Sequence, residues 1–470
     1  MERSRQNRVG RSLSGLGLAL AILALAAWVR PVAAADTRGT LRVGAAKVDI
    51  TPTATLAGAK YDHEHLYVRA IVLDNGTTRA ALIGLEQGNM PEEVWQDASR
   101  KIAAELNCPV DNIIMSATHT HSGAGRGANG EEASVNVTQI VGSMLEAVRQ
   151  AKAGLQPARM GYGTGMAYLN VNRDAINPET HLWTQAPNAD AASDKTVAVL
   201  KFQTPAGQPI AAYVNYAMHA INGYLAGFVS SDFPGAMSHY VEEAYGDRMV
   251  AVFTQGASGD QNPLYMRPST NQMASESGVA ITGGVLVRES VESRIRGTDL
   301  KPKPADPKVA DQLKRWMDSE GDVLGEEVIR VMTDTTRLTG EVRIWGGDKT
   351  VTCPGRTRAD SGREGMTGRY KDGPPVKIRL GVVGIGDVAL DSVNAEIYTL
   401  IGQRTKKQSP MADTMVVTLA DGRADSGYIP DDASFSHNTF QVLGSRLKAG
   451  CAEAAIADGL TELVEQYQRR

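Results

Sequence analysis

Two histidines stand one residue apart in SATHTHSGAG, Ser116 to Gly125, directly after the apolar run NIIM. Imidazole is the commonest metal ligand and the usual general base near neutral pH. In extended backbone, residues i and i+2 project to the same side. His119 and His121 are therefore expected to face one cavity at the carboxyl end of a short strand. Only eight histidines occur in 470 residues, and the pair by itself is equally compatible with a polar surface loop. Two metal-enzyme patterns that begin H-x-H do not continue here. The binuclear H-x-H-x-D-H pattern fails because Ser122-Gly123-Ala124 supplies neither the aspartate nor the third histidine. Hydrolase barrels that carry H-x-H on their first strand fit poorly, since about 80 residues lie between the leader and the motif and few histidines follow it.

The elements that must hold the pair follow from periodicity. LYVRAIVLDNGTTRAALIGLE contains two β-rich runs around Asn75-Gly76, a strong hairpin signal because both residues tolerate positive φ. PEEVWQDASRKIAAELN has helical spacing with Pro91 suited to a first turn. DNIIMSATHTHSG is a short strand entering a loop, and SVNVTQIVGSMLEAVRQAKAGL is an amphipathic helix closed by Gly154. Strand-like TVAVLKFQT and PIAAYVNYAMHA then precede a helix around PGAMSHYVEEAYG, the apolar run MVAVFTQ and the Gly-rich GASGDQNP. Residues 300–375 differ, being rich in charge, Pro and Gly. Two helices are expected there, followed by a mobile loop at DSGREGMTGRYKDGPP. A hairpin around Gly384–Asp387 and a final helix at LTELVEQYQ complete the chain. No short-period repeat stands out. Alternating strands and helices predict a mixed α/β fold, with mixed β-sheets flanked by helices in one large domain over 36–470, and 300–375 as a variable, partly loop insertion.

With 49 Lys and Arg against 53 Asp and Glu, the net charge of -4 offers no basic face for nucleic acid. Arg3, Arg5, Arg8 and Arg11 precede the apolar LGLALAILALAAWV and the small-residue PVAAAD. This is the pattern of a secretory signal peptide over 1–35, cleaved after Ala34 or Ala35. The apolar run is shorter than the roughly 20 residues a membrane span needs. An exported protein, secreted or periplasmic, without a transmembrane span after cleavage is expected. Cys108, Cys353 and Cys451 are too few for a disulfide scaffold. One pair can bridge, and the sequence leaves open which.

Taken in order, the motifs resemble the neutral, non-lysosomal ceramidase family of zinc-dependent amide hydrolases. The resemblance runs through VGAAKVDITP, HLYVRAIVL, ATHTHSGAG, NVNRD, NYAMHA with SSDFPG, FTQGASGDQNP, VNAEIYTLIGQR and SGYIPDDASF. It covers most of 41–295 and 376–460. By position it implies a Zn2+ site made of His119, His219, Glu396 and Tyr428. His121 is implied as the proton carrier and Arg173 as the group that holds a substrate hydroxyl or developing oxyanion. From the residues alone, His219 reads equally as a core histidine, Glu396 as a helix cap, Tyr428 as a packing residue and Arg173 as an ion-pair partner of Asp174.

Two positions depart from the family pattern. Gly256 stands where the family has serine, and Phe440 where it has a substrate-side tyrosine. The family's C-terminal immunoglobulin-like domain is expected to be absent, since the chain ends soon after Tyr428. The resemblance implies cleavage of an acyl-amide or lipid-like substrate by zinc-activated water. The missing hydroxyls keep two rivals open: a hydrolase of the same fold acting on a non-ceramide amide, lactone or ester, and a non-catalytic secreted protein stabilised by the metal.

Overall fold

The computed structural model describes residues 38–53, 58–123, 136–223, 227–264, 281–282, 285–286, 307–360 and 364–469. The signal peptide expected over 1–35 lies outside these residues. The two β-rich runs around Asn75-Gly76 form antiparallel strands Tyr67–Asp74 and Arg79–Leu85, with Asp74 opposite Arg79. The turn is thus longer than a two-residue hairpin. The Asn75 side-chain oxygen accepts from the N–H groups of Thr77 and Thr78, and Gly76 takes a φ of 82°.

The same succession of elements occurs three times along the chain: three antiparallel strands, a helix, a fourth strand parallel to the third, and a second helix. The first unit comprises strands Arg42–Asp49, Tyr67–Asp74, Arg79–Leu85 and Ile113–Ala117 with helices Glu92–Leu106 and Val137–Ala153. The second comprises strands Arg159–Met166, Thr196–Gln203, Pro209–Tyr216 and Val250–Gln255 with helices Asp232–Ala244 and Pro307–Asp334. The third comprises strands Ile344–Arg358, Tyr370–Ile385, Val388–Val393 and Asp413–Val417 with helices Thr399–Gln408 and Ala452–Gln468. In each sheet the strands lie side by side in chain order. Each parallel pair exists because a helix carries the chain back across the sheet, as parallel pairing requires. The described residues of all three units are therefore mixed sheets flanked by helices.

Alternation along the strands explains the packing. Ile71 and Leu73 join a central core with Leu200, Tyr213 and Val252 of the second sheet and Val383, Leu390 and Met415 of the third. Ala70 and Val72, on the opposite face, pack against Val94, Ile102 and Met144 of the first unit's helices. The other two sheets cover their outer faces in the same way. Strands buried on both sides need no polar face, so they appear as continuous apolar runs. Each fully buried Leu, Ile or Val contributes about 1.5–3 kcal/mol.

Residues 300–375 depart from expectation. In place of two helices, the described residues there hold one of 28 residues, Pro307–Asp334. Its glycines are sites of close approach. A Cβ on Gly321 would lie 2.3 Å from the Ala236 Cβ, and one on Gly325 would lie 2.7 Å from the Tyr240 ring. Much of the expected loop is strand: Tyr370–Pro375 continues the hairpin, with Tyr370 opposite Arg358. Cys353 and Cys451 form a disulfide and Cys108 is free. Among the described residues, no helix is long and apolar enough to cross a membrane.

Candidate metal centre

The three parallel pairs end at one place, held together by backbone hydrogen bonds between units. Ala117 N–H donates to the Leu419 carbonyl, and Thr418 N–H donates to that of Gln255. The Gln255 side-chain amide donates to the carbonyls of Thr118 at 3.0 Å and Met218 at 2.7 Å. Those two residues immediately precede His119 and His219, so one amide sets the spacing of both histidine loops. His119 follows a fourth strand, His219 a third strand, and Glu396 the third strand of the last unit. Crevices at the carboxyl ends of parallel strands are where open α/β sheets hold ligands.

His119 is not in extended backbone. The strand stops at Ala117, and His119 takes a φ of 66°. The left-handed residue redirects the loop, so the alternation argument does not apply, yet the two rings meet edge to face with centroids 4.7 Å apart. The ring nitrogens of His119, His121 and His219 lie within 4.8 Å of one another.

The chemistry of the donor set was decided by what holds each ring from behind. His119 Nδ1 lies 2.6 Å from the Gly88 carbonyl, and His219 Nδ1 lies 3.1 Å from that of Gln261. A carbonyl only accepts, so each Nδ1 carries a proton and each neutral ring leaves a lone pair on Nε2. Both lone pairs aim at Glu396 Oε2, at 3.1 Å from His119 and 3.3 Å from His219. That oxygen is buried with no hydrogen-bond donor among the described residues. The Tyr428 hydroxyl lies 3.5 Å from His219 Nε2. Electron-pair donors crowded together call for a positive charge between them. Tetrahedral ligands held about 2.0–2.1 Å from a zinc ion stand roughly 3.3–3.4 Å apart, which matches these separations.

Burial pushes the His219 imidazole down to about 3, with the nearby Arg173 adding to it, so the ring stays neutral and available as a ligand. Burial raises the Tyr428 phenol; Glu396 adds to this and Arg173 opposes it. His121 Nε2 is 3.4 Å from His119 Nε2. It therefore sits as near the cluster as Tyr428 does.

Residues 55–280 match the family described as neutral/alkaline non-lysosomal ceramidase, N-terminal. Over those residues the chain resembles this family. It is 25% identical over 323 residues to the neutral ceramidase of Pseudomonas aeruginosa, a stretch covering 59% of this chain and 47% of that protein. It is 27% identical over 179 residues to neutral ceramidase A of Dictyostelium discoideum, covering 34% of this chain and 25% of that protein. The chain thus matches less than half the length of these curated relatives. Its fold is that of the crystal structure of the P. aeruginosa neutral ceramidase, with a TM-score of 0.64 at 16% identity, covering 92% of this chain and 75% of that one. A ceramidase complexed with C2 gives a TM-score of 0.65 over 92% of this chain and 76% of that one.

Within the ceramidase fold, Arg173 comes from the Asn170–Ile176 strand, part of a small sheet inserted in the second unit. It is buried, donates to the Gly259 carbonyl at 2.5 Å and to Asn262 Oδ1 at 3.1 Å, and comes within 3.5 Å of His219 Nε2. Its guanidinium lies 5.3 Å from the Tyr428 ring and 5.2 Å from that of Phe440, which meets Tyr428 edge to face. Asp174 instead pairs with His437. Gly256 packs against Ala217, two residues before His219. A Cβ there would stand 3.0 Å from the Ala217 Cβ and 3.2 Å from its Cα.

Sequence reasoning gave no role at the site to Gln255, Asn262, Trp183 or His437, and met Asp174 only as an ion-pair partner of Arg173. Gln255 precedes the Gly-rich GASGDQNP and Asn262 lies within it; the density of small and polar residues there was the available signal. Nothing local marked Trp183, which reaches the site from the next strand.

Proposed function

We propose that the chain is an exported, zinc-dependent hydrolase that cleaves the amide bond of an N-acylated, ceramide-like substrate. The observation that carries it is the cluster of His119 and His219 lone pairs around an undonated Glu396 oxygen, with Tyr428 as fourth ligand. A bound zinc supplies Lewis acidity and makes water acidic enough to react near neutral pH. His121, half-buried beside this cluster, takes a proton from the attacking water and returns one to the departing amine nitrogen. Arg173, fixed by Gly259 and Asn262, holds the oxygen on which negative charge develops. The relatives' names, the family resemblance and the basic-then-apolar N-terminus support substrate class and export. A disulfide also suits an oxidising compartment.

Phe440, at the Arg173 and Tyr428 side chains, favours a second reading, a same-fold hydrolase tuned to a different acyl amide. The deciding experiment is metal analysis of the purified protein by mass spectrometry, coupled to hydrolysis of a panel of ceramides, short N-acyl amides, esters and lactones. One zinc per chain with amide turnover is expected. A metal-free protein, or a zinc protein inert on every amide, would overturn the proposal.

A further inference from the structure

Phe440 leaves this wall of the site without a phenol hydroxyl, and the residue three positions earlier is a histidine. His437 Nδ1 lies 3.0 Å from Asp174 Oδ2. A carboxylate only accepts, so Nδ1 holds a proton, and the tautomer this selects carries its lone pair on Nε2. Asp174 is 2% exposed, and its Oδ2 also accepts the Tyr398 hydroxyl at 3.3 Å. Trp183 lies flat on the imidazole, with centroids 3.7 Å apart and planes at 17°. Tied at one nitrogen and covered on one face, the ring is held in a fixed orientation. Its side chain is 20% exposed, and the edge away from Asp174 is the one bearing Nε2. Asp174 directly follows Arg173, whose guanidinium is 5.2 Å from the Phe440 ring. The carboxylate that orients His437 and the arginine that reaches the histidine cluster are thus consecutive residues of one strand.

We infer that His437 is a specificity residue: its Nε2 accepts a hydrogen bond from a substrate hydroxyl near the acylated nitrogen, replacing the phenol that Phe440 lacks. Asp174 is then a positioning residue, and Trp183 a wall that keeps the ring edge-on to the substrate. This rests on the amide-hydrolase reading of the neighbouring metal centre. A site that aims a fixed acceptor at a hydroxyl discriminates strongly against the analogue without it, because the acceptor is then desolvated and unpaired.

The test compares two amides that differ in one hydroxyl, an N-acyl 2-amino alcohol and the matching N-acyl alkylamine, on the zinc-loaded protein. The hydroxylated amide should be preferred about tenfold or more in kcat/KM. His437→Ala should abolish that preference, by raising KM for the hydroxylated amide and relieving the penalty on the alkylamide, while zinc content stays as it was. His437→Gln, which keeps an acceptor, should retain part of the preference. Phe440→Tyr placed in the His437→Ala background should restore part of it. Equal losses on both amides, or an unchanged preference in His437→Ala, would overturn the inference. If neither amide is cleaved by the parent protein, the hydrolase reading fails on its own. Equilibrium binding of the two amides to parent and His437→Ala proteins then decides the role of His437: a preference for the hydroxylated amide that the variant loses supports it, and no preference overturns it.

Discussion

Glu396 and Tyr428 are cross-strand partners, the first pair of a two-residue parallel ladder completed by Ile397 and Ile429. Backbone pairing, anchored by two fully buried isoleucines, brings a carboxylate and a phenol to the same point. The short strands Glu396–Ile397 and Tyr428–Ile429 leave the third unit's sheet to do this. Glu396 therefore caps no helix; the following helix begins after Tyr398.

The first prediction concerns the metal. His119→Ala and His219→Ala should each lose most of the bound zinc and part of the thermal stability, because ligands drawn from distant parts of a chain couple binding to folding. Full zinc stoichiometry in both variants, measured by mass spectrometry, would sink the assignment.

His121 separates from His119 in the second prediction. As a proton carrier its loss in His121→Ala should leave zinc in place and lower kcat by about 10²–10⁴-fold. The 3.4 Å approach of its Nε2 to that of His119 makes the contrast informative. Zinc loss matching that of His119→Ala would show that His121 is a ligand.

Gly256 yields the third. A serine there presses its Cβ to 3.0 Å from Ala217, where the nearby backbone is tied by the Gly256 N–H to the Tyr216 carbonyl at 2.9 Å. Gly256→Ser should lower stability by about 1–3 kcal/mol, the usual range for overpacking. Urea unfolding would measure it, and a neutral or stabilising result would show that the Ala217 loop yields freely.

A fourth prediction rests on the Cys353–Cys451 disulfide, which closes 98 residues of chain that include Glu396 and Tyr428. Chain-entropy arguments put such a loop at about 4–5 kcal/mol. Reduction, or Cys353→Ser with Cys451→Ser, should lower Tm and the zinc retained on dialysis together. An unchanged Tm under reducing conditions would refute this.

Asp391 supplies the fifth. It is 1% exposed in the Val388–Val393 strand, and its Oδ1 has no hydrogen-bond partner among the described residues. Burial pushes its carboxyl up to about 8, from an ordinary value of 3.8. A folded-state pKa above the unfolded one means that the stability associated with this group is fully present below the ordinary value and is lost as pH rises towards 8. Asp391→Asn should therefore flatten the fall in unfolding free energy across that window. Equal slopes for parent and variant would falsify the claim.

Much of the fold was legible because its strands are buried and its helices amphipathic, so that each element's period stands out locally. The three-unit plan was not, since the units share order and pairing without sharing residues. The long helix was split in expectation because Gly321 and Gly325 weaken helical propensity; their purpose, contact with Ala236 and Tyr240, belongs to another element. At the site, His119 and His121 announced themselves by spacing. His219 did not, because an apolar run with one histidine has a core residue's pattern, and its partner carbonyl, that of Gln261, lies 42 residues away. His437 and Trp183 were hidden for the same reason: their stacking joins a strand and a turn that are far apart in sequence.

The arrangement of strand ends has a consequence for how the protein is handled. Each unit donates its own part of the cluster: His119 from the first, His219 from the second, Glu396 and Tyr428 from the third. No unit, and no pair of units, holds the complete set. Tightly bound zinc would then act as a tally of assembly, taken up only by chains in which all three units have docked. The ratio of zinc to protein in a preparation would report the fraction correctly folded before any substrate is added. Polypeptide breaks in the connections between units would be tolerated wherever the ion can still stitch the pieces together.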